Sequence, residues 1–98
     1  MKFEVYGKLN CAKCKSTKDK LSHLLTKAEL GEAVPLVFVD VDGVEGMAEG
    51  AFNDVRDVPT TILRSDAGEP LARWEGKPPL STEVLPFLGA AKSVSAVQ

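Results

Sequence analysis

The segment YGKLNCAKCKS holds the only two cysteines of the chain, Cys11 and Cys14, with two residues between them. Thiols at this spacing can hold a soft metal, lock a structure or exchange a disulfide. A bridge over so short a span closes almost no chain, so it draws little stability from restricting the unfolded state. Stapling is a poor use for this pair. Structural zinc needs four ligands, yet there is no third cysteine, and the only histidine is His23. A two-thiolate Cu(I) carrier stays open, because soft Cu(I) suits thiolates. So does a buried, inert pair.

Exchange has a physical route if a helix starts at Cys11. Free backbone N–H groups and the helix dipole at such a start favour a thiolate over a thiol. Cys14, one turn further in, lies within bridging reach. Thiolate Cys11 would attack a substrate disulfide, and Cys14 would resolve the mixed disulfide. These two are the candidate catalytic residues. From Lys8 to Lys27 there are six lysines against one acid, Asp19, so Lys13 and Lys15 are candidates to lower the pKa of the pair. From Glu29 to Asp57 the balance reverses, with eight acids against Arg56 alone.

The elements around the cysteines must position them. KFEVYG reads as a strand, and Asn10 is the expected cap of a helix running from Cys11 to about Leu30, ended by Gly31. PLVFVDVDG reads as the strongest strand; its apolar run from Leu36 to Val39 suggests burial on both faces. Asp40, Asp42 and Gly43 mark its exit, without the ligand spacing of a calcium loop. A second helix is expected between Val44 and Val55, turning Val44, Met47, Ala48, Ala51, Phe52 and Val55 inward; Gly46 and Gly50 weaken its propensity. A hairpin follows, Thr60 to Arg64 and Leu71 to Trp74, around Asp66-Ala67-Gly68, with Trp74 a packing residue. A closing helix spans Ser81 to Leu88, short or kinked at Pro86.

The order β-α-β-α-β-β-α predicts a compact α/β domain, a four-stranded mixed sheet covered by helices. One domain over residues 1–89 is expected, with residues 90–98 a frayed tail.

Cys11-Ala12-Lys13-Cys14 after the first strand and Val58-Pro59-Thr60 before the third resemble the thioredoxin superfamily, in particular its small glutaredoxin-like and thioredoxin-like proteins. The resemblance covers residues 2 to 89 and implies a thioredoxin-like fold with thiol-disulfide oxidoreductase activity on protein disulfides. It implies a cis bond at Val58–Pro59, facing the cysteines, and a substrate ledge of Val58, Pro59 and Thr60. A cellular thiol or a disulfide reductase would supply electrons, with no bound cofactor beyond the redox-active pair. The chain departs from the family pattern at three places. Ala12-Lys13 replaces the usual intervening pairs, Asn10 stands where a tryptophan is usual, and Val5 takes the place of a buried aspartate. Gly76-Lys77-Pro78 keeps one glycine of the glutathione signature, which leaves glutathione open as a partner. The alternative to an enzyme is a Cu(I) carrier or an interaction module on the same fold.

A 44% hydrophobic fraction, 27% charged residues and a net charge of −2 are ordinary for a globular protein and give no case for nucleic acid. No apolar run reaches membrane-spanning length, and MKFEVYGK offers no secretory signal region, so a cytoplasmic monomer is the expectation.

Overall fold

The computed structural model describes the backbone of residues 1–97 and the side chains of residues 1–91. Its elements run β1 (Lys2–Gly7), α1 (Ala12–Lys27), β2 (Leu36–Asp40), α2 (Val44–Phe52), β3 (Thr60–Arg64), β4 (Pro70–Glu75) and α3 (Ser81–Val97). The order is the expected β-α-β-α-β-β-α. The strands form one mixed sheet, β2-β1-β3-β4, in which β1 pairs parallel with β2 and antiparallel with β3, and β3 pairs antiparallel with β4. The most apolar strand is therefore at an edge, not in the centre. Val37 of β2 remains 41% exposed, so burial on both faces is corrected to burial on one.

Alternation along the strands divides the sheet into two unlike faces. Phe3 and Val5 of β1, Leu63 of β3 and Trp74 of β4 point to one side, where they meet Leu21 and Leu25 of α1 and Val84 and Leu88 of α3. The Trp74 ring meets Phe87 edge-on, at 6.3 Å between centroids. On the other side Glu4, Tyr6, Ile62, Arg64 and Arg73 face α2. Arg64 donates to Glu4 at 2.5 Å and to Asn53 Oδ1 at 2.5 Å, and Asn53 donates to the Tyr6 hydroxyl at 3.0 Å. Arg73 donates to the carbonyls of Asn53 and Asp54, each at 2.7 Å. A polar lattice, not an apolar layer, ties the end of α2 to the sheet.

Both α1 and α2 end on the same device. After α1, Leu30 N–H donates to Leu25 O at 2.9 Å and Glu29 N–H to Thr26 O at 3.0 Å. After α2, Val55 donates to Gly50 O at 2.8 Å and Asp54 to Ala51 O at 3.2 Å. These are Schellman closures, which need a left-handed residue just past the helix. Glu29 (φ 61°) and Asp54 (φ 56°) fill that position where glycine is usual. The stop at Gly31 is thus corrected to Lys27, because burial of Leu30 against the core fixes where the chain turns.

The hairpin forms as expected, with Gly68 at φ 91° in its turn. The closing helix α3 is longer than the expected Ser81–Leu88 and passes through Pro86. Proline forfeits its own N–H bond to the Thr82 carbonyl and its ring crowds that carbonyl, yet the helix continues past it. The expected fraying of residues 90–98 falls, from residue 92 onward, outside the described side chains.

Helix α2 departs most from expectation. Its apolar residues were expected inside, but Gly46 and Gly50 are the buried positions, while Val44 and Phe52 are almost fully exposed and Met47 largely so. A Cβ on Gly46 would lie 1.7 Å from the Asp40 carbonyl oxygen. Only the bare backbone fits there.

Candidate functional site

Strand β1 ends at Gly7, and a short turn, closed by Cys11 N–H to Lys8 O at 3.3 Å, delivers the chain to α1. Cys11 is itself the N-cap, not Asn10. Its backbone is extended (φ −102°, ψ 117°), and its Sγ accepts the Cys14 N–H at 3.2 Å. An N-cap needs an acceptor atom for the free N–H groups of the first turn, and a thiolate meets that need with its full charge. The capping bond also favours the thiolate, because the N–H donated to the sulfur stabilises negative charge there.

The two thiols, both free, differ in environment: Cys11 is partly exposed and Cys14 fully buried. The Cys14 side chain and then its backbone N–H, followed by Lys13, hold the Cys11 thiol below the usual range. Burial, then the hydrogen bond with Cys11, pushes the Cys14 thiol up. The pair is poised with one sulfur ready to ionise and one held protonated.

Gly7 makes room for the buried partner. A Cβ there would sit 2.7 Å from Cys14 Sγ and 3.2 Å from the Phe38 ring. Its signal in the sequence is a glycine that ends a strand just before the cysteines. Of the two lysines expected to tune the site, Lys13 acts on Cys11, whereas Lys15 is ion-paired with Asp19 at 2.9 Å. Lys18 lies 5.8 Å from the centre of the Phe38 ring, a further cation at this end of the sheet.

Thr60 stands opposite Tyr6 in the β1–β3 register, so Pro59 enters the sheet at the end where β1 leaves for Cys11. The Val58–Pro59 bond is cis, as the resemblance implied. Pro59 is fully buried and its carbonyl accepts Gly76 N–H at 2.8 Å. Of the expected ledge, Thr60 is also buried, and its hydroxyl donates to the Asp57 carbonyl at 2.7 Å, closing the turn. Val58 is the partly exposed member, and its N–H donates to Asp57 Oδ1 at 2.9 Å. The other carboxylate oxygen of Asp57 leaves no room for a Cβ on Gly76, which has φ 76°. Asp57 is thus a part of this corner that sequence reasoning missed, and Gly76, read there only as a remnant of the glutathione signature, is fixed by it.

No protein-family model matches the chain, and no curated protein does. Solved structures do match. Thioredoxin 1 from the thermophilic eubacterium Thermosipho africanus superposes with a TM-score of 0.71 at 21% identity, over 98% of this chain and 99% of that one. Thioredoxin-2 of the malaria parasite secretion machinery gives 0.72 at 20% identity, over 91% and 81%. Mitochondrial thioredoxin 3 from Saccharomyces cerevisiae, in its oxidised form, gives 0.66 at 22%, over 91% and 76%. The chain has the thioredoxin fold. Among the described residues, no group of three or more His, Cys, Asp and Glu is placed to hold a metal ion, and no helix is long and apolar enough to cross a membrane.

Proposed function

We propose that the chain is a thiol-disulfide oxidoreductase acting on protein disulfides through Cys11 and Cys14. The observation that carries this reading is the inequality of the two thiols: Cys11 caps α1 with a lowered pKa, and Cys14 is buried with a raised one. The Cys11 thiolate attacks one sulfur of the substrate disulfide. The substrate S–S bond breaks, a Cys11–substrate disulfide forms, and the first substrate thiolate leaves. Cys14 then loses its proton and attacks Cys11 Sγ, forming the Cys11–Cys14 disulfide and releasing the second substrate thiolate. Two electrons pass from the pair to the substrate.

A cellular thiol or a disulfide reductase returns the pair to the dithiol, and the potential of the couple against its compartment, taken here as the cytoplasm, sets the direction. Val58 is the partly exposed end of the substrate ledge, and the Asp57 carboxylate must release the Val58 N–H for a substrate strand to pair there. Lys13 serves the nucleophile directly, and Lys15, held by Asp19, is the lesser contributor.

The division of labour is testable by mass spectrometry after mixing each single variant with an oxidised protein substrate. Cys14→Ser traps a mixed disulfide through Cys11; Cys11→Ser traps none. Trapping through Cys14 in the Cys11→Ser variant would reverse the roles. Alkylation across pH adds the acid-base side: Cys11 becomes reactive below the ordinary thiol pKa of about 8.5, and Cys14 does not.

A further inference from the structure

The outward face of α2 is a surface that the thiol chemistry does not use. Val44, Met47, Ala48, Ala51 and Phe52 are all exposed and recur at i, i+3, i+4, i+7 and i+8. At 3.6 residues per turn they occupy an arc of roughly 140°, the pattern of a helix buried against a partner. The opposite arc, Gly46 and Gly50, is the one against the protein, closed on Asp40 and Val41. No rotation of α2 could reverse this, since any side chain at Gly46 would meet the Asp40 backbone. The apolar stripe faces outward by construction, with Val44 89% and Phe52 88% exposed. A contiguous exposed apolar stripe of this kind marks an interaction surface.

Its surroundings say what covers it. Glu45 and Glu49 follow Phe52 around the helix, and exposed Asp42 precedes the stripe. None of these three has an ion-pair partner among the described residues. On the other flank Met47 and Ala51 line a groove of about 460 Å³ that runs to Val58 and Lys8. The register pairs Gly7 with Asp40, so α2 also starts at the sheet end that carries the cysteines. A second copy packed antiparallel across this face would set acidic rim against acidic rim. Helices that lie on membranes carry lysine and arginine on their polar face, the opposite of this rim. A helix with an apolar stripe flanked by basic residues satisfies both the apolar arc and the unpaired acids.

We propose that α2 is a docking face for a basic amphipathic helix of a partner protein, seated beside the cysteine end of the sheet. This inference stands apart from the redox reading, because it concerns only what is held there.

Two labelled synthetic peptides decide it, both with leucine at i, i+3, i+4 and i+7, one flanked by lysines and the other by glutamates. Fluorescence anisotropy with the reduced full chain follows binding. The lysine peptide binds at least about tenfold more tightly than the glutamate peptide, and the margin shrinks as salt is raised. Met47→Ser with Phe52→Ser weakens it by a similar factor while circular dichroism stays unchanged, since both residues are exposed. Glu45→Lys with Glu49→Lys reverses the preference between peptides. Cys11→Ser with Cys14→Ser leaves binding unaltered, which separates this face from the chemistry. Equal binding of the two peptides, no binding, or indifference to the Met47 and Phe52 changes overturns the proposal. So does a dimer in sedimentation, or attachment to phosphatidylserine vesicles, that Phe52→Ser abolishes.

Discussion

The two faces of the sheet are built on opposite principles. Under α1 and α3 the chain spends its large apolar residues, and Phe3, Val5, Leu21, Leu63 and Val84 are all buried to 0% exposure. Under α2 it places a lattice of Glu4, Tyr6, Asn53 and Arg64, while the apolar residues of the covering helix look outward. Apolar burial is non-directional and additive, so the first face supplies stability. Hydrogen-bonded ion pairs contribute little net energy once their desolvation is counted, but they are exacting about geometry. The second face therefore sets where α2 sits and what it shows. Both faces meet at the cysteine end, where Cys14 packs on Gly7 from the first and the Asp57–Gly76 corner closes around Pro59.

The sharpest way to break this contrast is to cut one apolar side chain from each face. Leu21→Ala leaves a hole beneath α1, and buried Leu→Ala changes cost about 3 to 4 kcal/mol. Phe52→Ser removes a larger side chain yet should shift stability by no more than about 0.5 kcal/mol, because that ring is already in water. Urea unfolding of the two variants measures both. A comparable loss in each would mean that α2 is buried in solution after all.

The lattice gives the next largest effect and a pH signature. Burial raises the Glu4 carboxyl, but the hydrogen bond and charge of Arg64 outweigh it and leave the carboxyl lowered. A lowered carboxyl contributes stability that is present above its unfolded pKa, about 4.3, and is lost as pH falls through the folded value. Arg64→Met removes the partner of a largely buried charge. It should cost about 2 kcal/mol near neutrality, and less as acid protonates Glu4. Unfolding midpoints of wild type and variant should draw together as the pH falls below about 4.3. A constant gap through that fall would assign the loss to packing of the arginine stem.

What the sequence made legible follows the same division. Cys11 and Cys14 declared themselves by spacing, and the strands and helices of the first face by apolar period, since both signals are local. The orientation of α2 was misread because periodicity reports which residues share a face and not where that face points. Gly46 and Gly50 looked like weak spots in a helix; they are its contact surface, a fact set by the Asp40 backbone across the gap. β2 looked buried on both faces because its apolar run is dense, yet what covers each face is set by its edge position in the whole sheet. Gly7, Asp57 and Gly76 matter through contacts with residues distant in sequence, to which composition is blind.

Within the first face one residue goes against the principle. Thr61 is fully buried opposite Val5, next to Trp74 in the register, and its hydroxyl has no hydrogen-bond partner among the described residues. A buried hydroxyl left unpaired costs about 1 to 3 kcal/mol. Thr61→Val keeps the branched shape and removes the hydroxyl, so it should stabilise the protein by about 1 kcal/mol in denaturant unfolding. A loss instead would show that the hydroxyl has a partner in solution, a bound water being the simplest.

The smallest effect concerns the hinge between the faces, where α1 turns toward β2. Glu29 holds φ 61° so that Leu30 can bury and close the helix. A side chain in that left-handed conformation costs about 1 kcal/mol, which glycine does not incur. Glycine also has more freedom to lose from the unfolded chain, which offsets part of the gain. Glu29→Gly should therefore stabilise by less than about 1 kcal/mol, read as a small rise in the urea midpoint with an unchanged slope. Asp54 fills the same position after α2, but Arg73 grips its carbonyl and Arg56 its carboxylate. Asp54→Gly removes the carboxylate contact along with the strain, so its gain should be the smaller of the two. The comparison is internal, since one closure geometry is relieved at both sites. An equal rise would mean that the Arg56 pair at the exposed rim contributes nothing, as isolated surface pairs commonly do. A loss at Glu29 would mean that the backbone there is not left-handed in solution, and the stop of α1 at Lys27 would need another cause.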